Sequence, residues 1–112
     1  MYLYIDNSEK TDIINAKLCS CLEFSIHKQK TELGVKLFCI LYVDDFRFTI
    51  GEIEINSQFK EIAIKSMKGF WNGILLNMMS NSESNNFINL SQKFEVFAKD
   101  KPWENDYKGG EE

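Results

Sequence analysis

Residues 35–55 read VKLFCILYVDDFRFTIGEIEI, and the alternation within this run decides what kind of fold the chain adopts. Val35, Leu37, Cys39, Leu41 and Val43 hold one phase, and Phe38, Ile40 and Tyr42 hold the other, with Lys36 as the one charge. Period two over nine residues is the pattern of a β-strand, and apolar residues in both phases mark a central strand at least partly covered on both faces. Asp44 and Asp45 interrupt the run before FRFTIGEIEI resumes it. A two-residue loop at the aspartates pairs Val43 with Phe46 and Leu41 with Phe48, which puts the apolar members of both strands on one face. The phase then changes at Gly51: Phe46, Phe48 and Ile50 are even, Ile53 and Ile55 odd. A glycine at such a change is the sequence form of a β-bulge, because one extra residue moves every later side chain to the other face. Glu52 and Glu54 are then expected to face water.

Upstream, YLYI at 2–5 reads as a short strand and DNSEKTD as a loop or short helix. LCSCLEFSIHK alternates with a lapse at Ser20 and gives a second strand. Downstream, Phe59, Ile62, Ala63, Met67, Phe70, Ile74 and Met78 follow helical spacing, with Asn56 or Ser57 as N-cap and Lys65, Lys68 and Asn72 on the wet side. Gly69 and Gly73 each cost about 1 kcal/mol in a helix interior, so either close approach to the sheet offsets them or the helix bends. SNSESNN is a polar loop, and FINL with KFEVFAK reads as one or two closing strands, Phe94, Val96 and Ala98 on one side. The expected fold is α+β: a single antiparallel sheet of about five strands packed against one long helix. Residues 1–101 form the one domain and 102–112 an acidic C-terminal tail.

A chain of 112 residues, 44% hydrophobic, supports one core without staples. Its apolar runs are too short to span a bilayer, and MYLYIDNSEK lacks the charged and apolar regions of a secretory signal. Three cysteines, an odd number without an export signal, fit reduced thiols, so the expected location is the cytoplasm. The net charge of −4 and a pI near 5.0 weigh against nucleic-acid binding, which needs a basic stripe. Arg47 is the only arginine.

The four residues Tyr42–Asp45 resemble the YxDD box of reverse transcriptases, in which a hairpin carries two metal-binding aspartates. Such a site needs a third carboxylate on a neighbouring strand for two Mg²⁺ ions; Asp6 and Asp12 lie upstream, neither in a strand of the required kind. An acidic chain of this length also builds no template channel. Aspartate is a favoured turn residue, and a solvated hairpin tip is expected at Asp44 and Asp45. Cys19, Cys21 and His27 would share a strand face, but structural zinc takes four ligands and Cys39 belongs to the core pattern. His27, the only histidine, sits six residues from Cys21, about 20 Å along a strand, so no nucleophile pair forms. Gly69 and Gly73 lack the Lys-Ser/Thr ending of a phosphate loop. No metal, cofactor or enzymatic activity is expected.

Two surface features remain. Asp44, Asp45, Glu52 and Glu54 form an acidic edge beside Tyr42 and Arg47, and in KPWENDY the aromatics Trp103 and Tyr107 alternate with Glu104 and Asp106. Aromatics beside acids suit binding anchors flanked by steering charges. The start MYLYIDN, the helix stretch FWNGILLNMM and the end PWENDY together resemble, in overall format, bacterial immunity proteins of the contact-dependent inhibition type. The resemblance implies a protein that neutralises a cognate toxin, commonly a basic nuclease; from charge and hydropathy, neither a membrane nor a nucleic acid is expected as a partner. The alternatives are a subunit that forms a homodimer or larger oligomer through Phe38, Ile40 and Tyr42, and a small-molecule-binding α+β domain.

Overall fold

The computed structural model describes residues 2–6, 9–80 and 87–104. In chain order they form Tyr2–Asp6 (β1), Thr11–Asn15 (β2), Leu22–Lys30 (β3), Val35–Val43 (β4), Phe46–Ile55 (β5), Lys60–Ser80 (α1), Phe87–Asn89 (β6) and Leu90–Asp100 (α2). The fold is α+β, but its strands form two three-stranded sheets rather than one sheet of five. One has the order β3-β4-β5 and is antiparallel throughout; the other has the order β2-β1-β6, with β1 antiparallel to β2 and parallel to β6.

The central hairpin closes as its alternation predicts, with Val43 opposite Phe46 and Leu41 opposite Phe48. Its ladder slips between Cys39, which faces Gly51, and Ile40, which faces Thr49. Ile50 is therefore the extra residue of a bulge at the phase change. The slip keeps both Ile50 and Ile55 buried while Glu52 and Glu54 stay exposed. Gly51 has a further reason to be glycine: a Cβ there would overlap the ring of Phe94, which α2 lays on the strand.

One core joins both sheets and both helices. α1 places Ala63, Met67, Trp71 and Ile74 in it. Trp71 stacks on Phe24 of β3 at 4.5 Å and 8° and lies nearly parallel to Phe94 at 6.4 Å and 10°. Phe97 extends the aromatic series to Phe70 at 4.7 Å and Trp103 at 5.7 Å, each such pair contributing about 0.5–1.5 kcal/mol beyond area burial. From the other sheet come Leu3, Ile5, Ile14 and Ile88.

Three expectations need correction. Residues 11–15 are a strand that the alternation could not reveal, because Ile14 alone turns fully inward while Ile13 is exposed. KFEVFAK belongs to a helix and not to a closing strand. Leu90, Phe94 and Phe97 are buried at i, i+4 and i+7 while Val96 is exposed, and Asn89 caps the first turn by accepting from the Gln92 N–H at 2.9 Å. Third, the helix α1 is unbroken, yet Gly69 and Gly73 approach nothing: a Cβ at either meets no atom within 4 Å. Packing also continues past residue 101, since the helical turn at 102–104 carries Trp103 into the core at 3% exposure.

Gly51→Ala is expected to destabilise the protein by about 1–3 kcal/mol through displacement of Phe94. Gly69→Ala and Gly73→Ala should each stabilise it by roughly 0.5–1 kcal/mol, because they add helix propensity into open space. Urea unfolding midpoints measure all three.

Candidate functional site

Residues directly opposite one another in a ladder share a face, so the register of the β3-β4-β5 sheet sorts its side chains. Leu22, Phe24 and Ile26 lie opposite Val43, Leu41 and Cys39 and look toward α1. The outer face is built from the rows Glu23–Tyr42–Arg47, Ser25–Ile40–Thr49, His27–Phe38–Glu52 and Gln29–Lys36–Glu54. Four candidate residues from the sequence, Tyr42, Arg47, Glu52 and Glu54, thus come onto one surface with Phe38 along its midline.

The surface has internal order. The Tyr42 hydroxyl lies 3.0 Å from His27 Nε2, although the two residues belong to rows separated by the Ser25–Ile40 row. Their side chains therefore lie along the sheet and meet above that row. Ile40, in the row between them and outside the main core, is only 6% exposed. An oligomer contact through Ile40 itself is thereby disfavoured, while Phe38 and Tyr42 stay half-buried. Lys36 Nζ stands 4.0 Å from Glu52 Oε1 with both side chains partly solvated, an ion pair worth at most about 1 kcal/mol.

At the hairpin tip the two aspartates divide. Asp44 adopts a left-handed φ of 52°, tolerated by this residue type. Its Oδ1 accepts from the N–H groups of Ser20 at 2.9 Å and Cys21 at 2.8 Å, while its own N–H donates to the Cys21 carbonyl at 3.0 Å. The carboxylate ties the tip to the segment entering β3, so Asp44 is a structural clasp. Asp45 is exposed. Trp103 packs on Phe97 inside the core and is not a surface anchor; Glu104 beside it is half-buried. Asp106 and Tyr107 lie outside the described residues.

Among the described residues no third carboxylate stands beside Asp44 and Asp45 on a neighbouring strand to complete a metal-binding group. Asp6 and Asp12 do fall in strands, but in the other sheet, and no group of three or more His, Cys, Asp or Glu among the described residues is placed to hold a metal ion. The three thiols are free. Cys19 Sγ donates to the Asn15 carbonyl at 3.3 Å, and burial together with the Asp44 carboxylate pushes this thiol above its ordinary value. Burial pushes the Cys39 thiol up to about 12, with the Trp71 indole acting the other way. Its sulfur lies 3.0 Å from Met67 Sδ, deep in the core.

Among the described residues, grooves flank the helices. A cleft of about 1270 Å³ between α1, β6 and α2 is lined by Phe70, Ile74, Phe87, Val96 and Phe97, with Lys93 and Asp100 as its charged residues. A smaller one of about 530 Å³ runs between β3 and α1. No helix of the described residues is long and apolar enough to cross a membrane. No protein-family model, curated protein or solved structure matches the chain.

The sequence missed Glu23 and His27 as members of the outer face. Their place depends on how β3 registers against β4, which is set by the turn at 31–34, where Thr31 and Gly34 exchange backbone hydrogen bonds. The offset of that turn was the one signal that could have found them.

Asp44→Ala should cost about 1–2 kcal/mol, and Asp44→Asn, which keeps one acceptor and the left-handed preference, clearly less. Asp45→Ala should be near neutral by the same denaturation assay. A pH series tests Cys39. Its folded value near 12 exceeds the ordinary 9.0, so between these limits the unfolded chain binds fewer protons and stability falls as pH rises. The wild type should lose up to about 1.4 kcal/mol per pH unit there relative to Cys39→Ala.

Proposed function

We propose that the chain is a protein-binding module whose outer β3-β4-β5 face engages a basic protein surface, and that it serves as an immunity protein neutralising a nuclease-type toxin domain. The observation that carries this is the convergence of Phe38, Tyr42, Glu23, Glu52 and Glu54 on one exposed face. An aromatic midline flanked by carboxylates provides an area for desolvated contact within a field that attracts cations.

Arg47 and Lys36 moderate the charge of the face, and Asp45 extends it at the tip. A toxin that binds nucleic acid presents lysines and arginines where phosphates would sit, and an acidic face occupies that ground with fast, salt-sensitive association. The whole-chain charge of −4 acts in the same direction. The large apolar cleft between α1 and α2 favours one second reading, a domain that takes a small apolar ligand, for which ligand-dependent thermal stabilisation is the sign.

Low-salt capture from the source cells, followed by native mass spectrometry, should yield one basic partner at equal stoichiometry. Reversal of Asp45, Glu52 and Glu54 to lysine should then weaken that complex at least about tenfold, roughly 1.4 kcal/mol, and flatten its salt dependence. Unchanged affinity and salt dependence would place the contact elsewhere.

A further inference from the structure

β3 is an outer strand of its sheet, nine residues long, without proline and with an unbroken register against β4. The opposite edge, β5, is bulged and touched by α2. Natural edges are blunted by charge, proline or bulges, but on β3 the lysines, Lys28 and Lys30, guard only one end. The hydrogen-bond phase of the strand follows from the tip. The Asp44 N–H donates to Cys21, so even-numbered β4 residues bond toward β3, and the odd-numbered β3 residues opposite them are used. The N–H and C=O groups of Leu22, Phe24, Ile26 and Lys28 therefore point outward.

We propose that two copies of the chain pair through this edge, β3 antiparallel to β3 about a twofold axis at Ser25, joining two three-stranded sheets into one of six. The register makes the strand its own complement. Phe24 falls opposite Ile26 of the second copy on the helix side, and Leu22 opposite Lys28, in pairs that exchange backbone bonds. On the outer side Glu23 falls opposite His27 of the second copy. His27 Nε2 is engaged by the Tyr42 hydroxyl at 3.0 Å, leaving Nδ1 to meet the carboxylate.

Only registers with partners of like parity keep each face on its own side. Centring on Ile26 sets Phe24 against Lys28, and centring on Phe24 shortens the ladder to Leu22–Ile26. The groove of about 530 Å³ along this edge, where Phe24 and Ile26 meet Ile64, Trp71 and Leu75, gives the incoming side chains apolar surface to cover. The dimer leaves the outer face open and does not depend on which other partner that face binds.

Sedimentation of the unaltered chain should show mass rising toward a dimer with concentration. Ser25→Cys in a Cys21→Ser background should form an intermolecular disulfide rapidly on mild oxidation, because a non-hydrogen-bonded pair sets Cα atoms about 4.5 Å apart, within disulfide range. Glu23→Cys in the same background lies about 13 Å from its mate and should not cross-link. A monomer at all concentrations overturns the proposal. So does a dimer in which Ser25→Cys cross-links no faster than Glu23→Cys, which would assign association to another surface.

Discussion

The contact of the Phe94 ring with Gly51 is the joint on which the rest of the structure depends. α2 touches both β1 and β5, which also touch each other, and it follows directly on β6, which pairs with β1. Phe94 brings α2 down on the bulged strand at the one position without a side chain, and there its ring lies nearly parallel to Trp71 of α1. The large sheet and both helices thus meet within one aromatic series, and the small sheet joins the same core through Leu3, Ile5, Ile14 and Ile88. A side chain in place of the glycine would displace the Phe94 ring, so a local rule of strand geometry bears on how α2 packs.

The hairpin tip shows how one residue type takes two roles side by side. Asp44 spends its carboxylate on two backbone donors and holds the start of β3 in register with β4. Asp45, one residue on, has no comparable task and stands in solvent. The outer face has a similar division, since Tyr42 and His27 engage each other across the buried Ile40 row while Glu23, Glu52 and Glu54 stand exposed around them. Under the binding role proposed above, such internal order would lower the entropic cost of association.

Much of this was legible in the chain. The hairpin, its register, the bulge at Gly51 and the long helix, entered through a 3-10 turn at Ser57–Phe59 that Asn56 caps, all rest on local periodicity and capping chemistry, and these act between near neighbours. Asn56 indeed accepts from the Gln58 N–H at 3.1 Å. KFEVFAK was not legible because its apolar residues satisfy both period two and helical spacing. The choice falls to what Phe94 and Phe97 meet, namely Trp71, Phe70 and Trp103 from elsewhere in the chain.

The candidate face divides in the same way. Sequence alone placed Tyr42, Arg47, Glu52 and Glu54 together, because one two-residue loop and one bulge determine their pairing. It counted Asp44 and Trp103 as available to a partner, since nothing local shows that two distant N–H groups claim the carboxylate or that Phe97 covers the indole. The strand at 11–15 and the parallel pairing of β1 with β6 were likewise decided only in three dimensions. Alternation and capping encode which elements form; the division into two sheets, and which polar groups remain free, are fixed by contacts between residues far apart in the chain, which no local pattern records.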